Sequence, residues 1–200
     1  RRSIPQYATN LFACGKNAGG WMFSGAPYQI INNAIDAAAY TYDPEKRIEM
    51  RQKLDLRDEL IIGHVGRFNP QKNHPFLLDI FTALLKKEPN AVLLLVGGGE
   101  DMPKIQAEAQ VLGIAKHVRF LGVRGDVADL MQAMDVFVFP SLYEGLPVTM
   151  VEAQTAGLPC LISDKVPPEC IITEGLVDTL PLSAGAETWS EKLLEKRDTP

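Results

Sequence analysis

Apolar residues follow two alternating patterns from residue 60 onward. Short runs without polar interruption, such as 92–96 (VLLLV) and 136–139 (VFVF), are typical of strands that are buried on both faces of a parallel sheet. Between such runs apolar residues recur at helical spacing, as in 74–87 (HPFLLDIFTALLKK). Strands that alternate with helices over short connections predict an α/β domain, a doubly wound parallel sheet of the Rossmann-like type.

The pattern assigns five strands and five helices to this region. The predicted strands cover 60–66, 91–99, 117–122, 135–141 and 158–164. The predicted helices cover 74–87, 103–113, 126–134, 147–157 and 188–196, and we expect the last of them to be incompletely packed.

The first part of the chain has fewer elements. We predict strands in 8–15 and 28–36, a short helix over 16–23, and a charged helix over 45–56 without a strong apolar face. We interpret residues 1–43 as the tail of a preceding domain plus a linker. Residues 44–200 are then the ligand-binding domain, truncated at its C-terminus.

Composition excludes several classes of protein. The 200 residues are 46% hydrophobic and 22% charged, as in ordinary globular proteins. A net charge of -5 and a pI near 5.3 argue against nucleic acid as a partner. No apolar run approaches the ~18 residues of a membrane span. Three widely spaced cysteines without CxxC spacing favour a reducing, cytoplasmic location.

The histidines show no metal-ligand spacing, so the sequence predicts neither a metal nor a cofactor. His64 lies inside an apolar strand, and we interpret it as a hydrogen-bonded core residue rather than a catalyst. His74 and His117 are typical of helix-start or loop positions.

Candidate chemistry follows the predicted strands. In open α/β sheets ligands bind beyond the carboxyl ends of the strands. Those ends carry 66–73 (GRFNPQKN), 97–103 (GGGEDMP), 121–126 (LGVRGD) and 141–147 (SLYEGLP). In the last of these, a proline suits the first position of a helix, and a glycine lets a ligand approach the backbone. The free amides of that helix start favour an anion.

Four charged residues fit this interpretation. Arg67 and Lys72 can add charge-assisted hydrogen bonds to phosphate. The carboxylates of Glu144 and Glu152 suit vicinal hydroxyls, and Glu152 lies roughly 7.5 Å along its helix from the start. Taken singly, each charge is most often an ordinary surface residue, and the glycines at 97–99 are as typical of a plain turn. Together they predict a site for a ribose, a diphosphate and a sugar in that order.

At these segments the chain resembles the retaining, nucleotide-sugar-dependent glycosyltransferases of the GT-B fold, family 4. The similarity covers nearly all of the chain, and its most specific part is the spacing of seven residues between Glu144 and Glu152. The narrower similarity is to bacterial glycosyltransferases of capsule and exopolysaccharide synthesis. The segments that carry it are INNAID, GRFNPQKN, LLLVGGGE, VRFLG and DVFVFPSLYEGLPVTMVEAQTAGLPCLISD.

The resemblance implies an enzyme that transfers a sugar, with retention, from a nucleotide sugar to a glycan or lipid-linked acceptor. UDP is preferred over GDP on the resemblance alone. The acceptor would bind an N-terminal domain, so this chain alone would be inactive. The resemblance would also allow the full-length enzyme to associate peripherally with the inner face of the cell membrane.

The resemblance further implies roles for individual residues. Glu144, Arg67 and Lys72 would be catalytic, with both cations on the donor diphosphate and Glu144 on the donor sugar. Glu152 would bind the ribose, and the backbone of 119–121 would recognise the base. Since the chain has no Asp-x-Asp motif, these cations and the helix start would offset leaving-group charge without a metal. The donor-binding set is Gly66, Arg67, Lys72, Gly97, Arg119, Phe120, Leu121, Glu144, Gly145, Leu146, Val148 and Glu152.

The sequence departs from the family pattern at two places. Ala34 stands where the family more often has glycine, and the 163–169 segment (SDKVPPE), which ends in Glu169, replaces a glycine-rich loop.

Four other functions remain open at this point. Paired carboxylates also serve glycoside hydrolases, although these do not need the two cations. A dehydrogenase is disfavoured because G-x-G-x-x-G is absent. A nucleotide-sugar 2-epimerase and a non-catalytic nucleotide-binding module are the remaining alternatives.

Overall fold

The computed structural model describes residues 4–197, in which strands and α-helices alternate between residues 61 and 163. The helices are α1 (Ile4–Tyr7), α2 (Lys16–Phe23), α3 (Ala37–Tyr40), α4 (Pro44–Lys53), α5 (His74–Leu85), α6 (Met102–Val111), α7 (Val127–Gln132), α8 (Val148–Thr155) and α9 (Gly185–Arg197). The strands are β1 (Phe12–Ala13), β2 (Gln29–Ile30), β3 (Ile61–Val65), β4 (Val92–Val96), β5 (Val118–Gly122), β6 (Val136–Phe139), β7 (Cys160–Ser163) and β8 (Val177–Leu180).

Six strands form one parallel sheet in the order β5-β4-β3-β6-β7-β8. This confirms the predicted doubly wound α/β fold. All residues of β3, β4, β6 and β7 are buried, because helices cover both faces. The chain runs outward from β3 to β5 and then returns to place β6 on the other side of β3. The gap between the carboxyl ends of β3 and β6 is therefore the switch point of the sheet, where such folds bind ligands.

The sheet separates two apolar clusters. One contains Met131, Met134 and Met150, and the other contains Phe81 and Trp189. A Cβ atom on Gly63, in the central strand, would lie 2.0 Å from the sulfur of Met134. The glycine therefore lets the methionine pack directly on the sheet.

The sequence analysis missed β8 and underestimated α9. Strand β8 is a four-residue edge strand that is only partly buried, so its apolar pattern is too short to identify. The expectation that the last helix is incompletely packed was wrong. Trp189 and Leu193 of α9 are fully buried, and the Trp189 ring packs edge-on against Phe76 with centroids 5.7 Å apart.

Helix α4 explains how a charged helix without a strong apolar face can pack. Met50 is its one buried residue within the described chain. Arg47 donates to the carbonyls of Gln132 and Met134 at 3.0 and 2.8 Å, and both Arg47 and Arg51 pair with Asp135. The helix is thus held by arginine contacts to polar groups at the end of α7.

The region before α4 is less covered. Strands β1 and β2 form a separate two-residue parallel pair, shorter than predicted. Trp21 is 59% exposed and Met22 is 38% exposed, whereas Phe23 is buried. The division of the chain into a 1–43 tail and a 44–200 domain stays a prediction, and residues 1–3 and 198–200 lie outside the described residues.

Candidate functional site

Two glycines join the loops that follow β3 and β4. Gly97 and Gly99 have φ values of 138° and 156°, which L side chains rarely adopt. A Cβ on Gly97 would lie 2.0 Å from the carbonyl oxygen of Gly66, and one on Gly99 would lie 2.2 Å from that of Phe68. Backbone bonds from Gly66 N to Val96 O and from Phe68 N to Gly98 O complete the junction. The absence of side chains at Gly97 and Gly99 therefore lets the loop after β4 contact the backbone of residues 66–68 and fix the base of the 66–73 turn.

The same turn is bonded to the loop after β6. Asn73 donates its side-chain amide to Pro140 O at 3.2 Å. Gln71 accepts from Leu142 N through its carbonyl at 2.8 Å and donates its side-chain amide to Tyr143 O at 3.0 Å. Sequence reasoning missed these polar residues, and only their place in a strand-end turn could have indicated them. They fix the loop that carries Glu144.

Lys72 and Glu144 form a buried ion pair at this junction. The Lys72 Nζ atom lies 2.7 Å from Glu144 Oε1, and their side chains are only 13% and 6% exposed. The ammonium also lies 4.3 Å from the centre of the Phe139 ring. The structure thus brings together two predicted site residues that are 72 positions apart in the chain.

Two buried histidines lie beside this pair. His64 Nδ1 is 2.9 Å from Val138 O, which confirms His64 as a hydrogen-bonded core residue. His74 is the first residue of α5 and stacks on Phe68 with ring centroids 4.2 Å apart. Its two ring nitrogens, and Nε2 of His64, have no partner among the described residues. Burial lowers the pKa of His64 well below its usual value and that of His74 to about 4, so both rings are neutral at pH 7.

Glu152 has a different environment. It is the fifth residue of α8, which begins at Val148, so Pro147 is the N-cap rather than the first helical residue as predicted. The Tyr40 hydroxyl donates to Glu152 Oε1 at 2.8 Å. Burial, followed by the Glu152 carboxylate, raises the pKa of Tyr40 to about 12, so the phenol stays protonated. Sequence reasoning did not single out Tyr40.

Arg67 is exposed and makes no side-chain hydrogen bond or ion pair with another described residue. It lines a cavity of about 340 Å³ together with Phe68, Asn69, Pro70, Glu100 and Asp101. Its guanidinium is therefore available to a ligand at the carboxyl end of β3.

The predicted base-binding residues do not lie together. The Arg119 guanidinium donates to Leu54 O at 3.1 Å and lines a cavity with residues at the amino ends of β3 and β4. Its side chain therefore points toward the amino ends of the strands, whereas Glu144 lies beyond their carboxyl ends. The Phe120 ring is 6.0 Å from that of Phe68, and Leu121 lies where the β4–β5 register shifts. Base recognition by the backbone of this segment stays a prediction.

The loop 145–148 contacts the first part of the chain. Leu146 O accepts from Asn33 Nδ2 at 3.3 Å, next to the unusual Ala34. Glu169, from the segment that departs from the family pattern, accepts from Lys16 N at 3.2 Å at the start of α2. Gly145 is exposed, with open space where a Cβ would lie.

The fold is that of the α/β domain of GT-B proteins. The family model described as "Glycosyl transferases group 1" matches residues 46–193, and the chain belongs to this family. This result confirms the family-level resemblance that the sequence motifs indicate.

Similar proteins agree with this placement. The chain is 39% identical over 199 residues to EpsF of Bacillus subtilis (strain 168), which is provisionally named a glycosyltransferase. It is 32% identical over 147 residues to the Escherichia coli UDP-Gal:alpha-D-GlcNAc-diphosphoundecaprenol alpha-1,3-galactosyltransferase. These alignments cover 96% and 72% of this chain but only 52% and 38% of the relatives, so the chain spans about half of their length or less.

Solved structures share the fold. Anabaena Alr3699/HepE, in complex with UDP and glucose, superposes with a TM-score of 0.81 at 22% identity. WaaG, a glycosyltransferase involved in lipopolysaccharide biosynthesis, gives a TM-score of 0.78 at 22% identity. Both alignments cover 96% of this chain, and 54% and 59% of the respective structures.

Within residues 4–197, no helix combines the length and apolar character that a membrane crossing requires. Over the same part of the chain, histidine, cysteine and carboxylate residues form no group of three that could hold a metal ion.

Proposed function

We propose that residues 44–200 form the donor-binding part of a retaining glycosyltransferase whose donor is a UDP-sugar. Residues 1–43 would then be the tail of an acceptor-binding domain and a linker. The observation that carries this proposal is the convergence of Lys72, Glu144 and the start of α8 at the switch point of the sheet. Glu152 lies further along the same helix, as a ribose beside a diphosphate requires. The UDP in the HepE structure and the UDP-Gal in the name of the E. coli relative support UDP as the nucleotide.

The donor diphosphate would lie between the turn after β3 and the start of α8. Arg67 and Lys72 supply positive charge, and the first amides of α8, from Val148 onward, supply donors and the positive end of the helix dipole. Gly66 and Gly97 form a close backbone contact at the base of this turn. Because negative charge grows on the leaving diphosphate, these groups stabilise the transition state in place of a metal ion.

The sugar and the nucleoside would extend to opposite sides of the diphosphate. Glu144 accepts hydrogen bonds from the hydroxyls of the transferred sugar, and the backbone amides of Gly145 and Leu146 donate to it. An ammonium has three donors, so Lys72 can keep its bond to Glu144 while it binds phosphate. Glu152 accepts from the ribose hydroxyls, and the backbone of 119–121 would recognise the base.

We further propose that the acceptor is a glycan or lipid-linked saccharide of capsular or exopolysaccharide synthesis. The similarity to EpsF and the diphosphoundecaprenol acceptor in the E. coli relative's name support this choice. Transfer would occur in a cleft between this domain and an N-terminal one, because a pocket at a domain interface needs both walls. A lipid-linked acceptor would place the full-length enzyme at the cytoplasmic face of the membrane.

A ligand panel tests the donor proposal. Thermal shift and titration calorimetry would compare UDP, GDP, NAD and free sugars on this chain, with and without EDTA. We expect UDP to bind with a Kd in the millimolar to micromolar range, about 4 to 8 kcal/mol, and EDTA to have no effect. Binding of GDP in place of UDP would change the nucleotide. Binding of NAD alone, or of no nucleotide, would overturn the proposal.

A transfer assay tests the division of labour. A radiolabelled UDP-sugar and a pool of lipid-linked acceptors would be incubated with this chain and with a full-length protein that contains it. We expect product only from the full-length protein. Transfer by the 200-residue chain at a comparable rate would show that residues outside it are not needed for catalysis.

A further inference from the structure

The carboxylate of Glu152 is held by a residue far away in the sequence. The Tyr40 hydroxyl donates to Glu152 Oε1 at 2.8 Å, across 112 positions of the chain. Tyr40 ends α3, and α3 packs against α8. A glutamate side chain has three rotatable bonds, so a fixed donor on one oxygen selects one orientation of the carboxylate.

Tyr40 is itself fixed by a buried glutamine. Gln132, which is 2% exposed, donates its side-chain amide to Tyr40 O at 3.1 Å and accepts from Asp43 N at 3.0 Å. Both ends of the amide are therefore used to hold the backbone between Tyr40 and Asp43. The Tyr40 ring is consequently held against α8 in a defined place, and its hydroxyl is aimed at Glu152.

We propose that Tyr40 is a positioning residue that sets Glu152 for the two ribose hydroxyls of the donor nucleotide, and so determines the preference for ribonucleotides over deoxyribonucleotides. This inference rests on the proposed function of Glu152 as the ribose-binding residue. The Tyr40 bond uses one lone pair of Oε1. It leaves the whole of Oε2 and the second lone pair of Oε1 for a vicinal diol.

The chemistry of the partner matters for this role. A lysine or arginine in place of the phenol would neutralise the Glu152 charge and compete with the ligand. A neutral hydroxyl orients the carboxylate and leaves its negative charge for the ribose, since bonds to a charged acceptor are the stronger ones. Because the Tyr40 phenol remains protonated, it donates at every pH at which the protein is assayed.

The test compares a ribonucleotide with its deoxy analogue. Titration calorimetry on this chain would measure Kd for UDP and for 2′,3′-dideoxyuridine 5′-diphosphate in the unaltered protein, Tyr40→Phe, Glu152→Gln and the double variant. Tyr42→Phe is the matched control, because Tyr42 is a 54% exposed tyrosine two positions away. Circular dichroism melting would confirm that each variant is folded.

We expect Tyr40→Phe to weaken UDP binding roughly threefold to tenfold, as for one lost hydrogen bond, and to change dideoxy-UDP binding less than twofold. We expect the double variant to bind UDP as Glu152→Gln does, because the phenol acts only through that carboxylate. Tyr42→Phe should bind both ligands like the unaltered protein.

The outcomes separate this inference from the proposed function. If Tyr40→Phe weakens both ligands equally, or neither, Tyr40 is a packing residue and the inference is wrong, while the role of Glu152 stands. If Glu152→Gln itself leaves the preference for UDP over dideoxy-UDP unchanged, the ribose assignment fails and the inference fails with it. The same holds if the unaltered chain does not bind UDP.

Discussion

Seven residues separate Glu144 from Glu152 in the chain, yet the structure gives the two carboxylates different partners. Glu144 lies in a loop, is 6% exposed in its side chain, and pairs with the cation of Lys72. Glu152 lies on a helix and is bonded to the neutral phenol of Tyr40. A cation cancels the charge that it holds, whereas a phenol orients a carboxylate without cancelling its charge. The Glu144 carboxylate is therefore neutralised within the protein, whereas the Glu152 carboxylate keeps its negative charge.

The largest expected effect comes from removal of the cation. Lys72→Ala leaves Glu144 buried without its partner, and we expect the free energy of unfolding to fall by roughly 3 to 5 kcal/mol. Urea denaturation followed by circular dichroism measures this. Lys86→Ala is the matched control, because its pair with Glu187 is 65% and 59% exposed and should contribute about 0 to 1 kcal/mol.

A double variant sharpens the same result. Lys72→Met with Glu144→Leu removes both charges, so most of the lost stability should return. If Lys72→Ala lowers the free energy of unfolding no more than Lys86→Ala does, the Lys72–Glu144 pair does not stabilise the fold and the contrast with Glu152 disappears.

Acid should lower the stability of the protein through the two histidines beside Glu144. The pKa of His74 is lowered from 6.5 to about 4 in the folded protein, so between these pH values the unfolded chain binds more protons. The free energy of unfolding should therefore fall as pH decreases from about 6.5 to 4, by up to about 3 kcal/mol from His74. His64 should add to this loss, because its pKa is also lowered.

Urea denaturation from pH 8 to pH 4 measures this dependence, with His74→Phe as the comparison. The variant should be less sensitive to acid below about pH 6.5. The curve of the unaltered protein should be flat between pH 7 and 8 as far as these histidines are concerned. Equal slopes for the two proteins below pH 6.5 would contradict the assignment.

The two glutamates should separate in binding. Glu152→Ala should weaken UDP itself by about 1.5 to 3 kcal/mol, since a charged acceptor is lost. Glu144→Ala should chiefly reduce the additional affinity of a UDP-sugar over UDP. Calorimetry with UDP and a UDP-sugar on both variants measures these losses of affinity. Equal losses in all four titrations would contradict the separate roles of the two glutamates.

The smallest expected effect on stability is at Arg67. Its side chain is exposed and bonded to no other described residue, so Arg67→Ala should change the free energy of unfolding by less than about 0.5 kcal/mol. In the full-length enzyme the same change should lower kcat more than it raises KM for the donor, because leaving-group charge grows in the transition state. A raised KM with unchanged kcat would make Arg67 a ground-state binder.

The fold was predictable because buried parallel strands and amphipathic helices carry long periodic patterns. Strands β4 and β6 appear in the sequence as unbroken apolar runs. Strand β8 has only four residues, three partly buried and one exposed, so periodicity could not reveal it. The packing of α4 was equally hidden, because arginines that bond to carbonyls leave no apolar pattern.

The candidate site was predictable where strand ends carry charge. That rule brought Lys72 and Glu144 to one place. It could not indicate Tyr40 or Gln132, because their contacts to Glu152 and to the 40–43 backbone depend on tertiary packing alone. Nor could the rule show that the Arg119 side chain points toward the amino ends of the strands. The sequence does not indicate toward which end of the sheet a side chain near the start of a strand is directed.

The switch point of the sheet also sets an order of assembly. Strands β3, β4 and β5 are consecutive in sequence and pair with one another, so this half can form before β6 is synthesised. Strand β6 pairs with the free side of β3, which requires the closure of the longer chain segment between these two strands. Lys72 belongs to the first half and Glu144 to the second, so we expect their ion pair to form late in folding. An interaction that is absent from the folding transition state mainly slows unfolding. Lys72 and Glu144, which we assign to donor binding, would thus also slow the unfolding of the domain by linking its two halves.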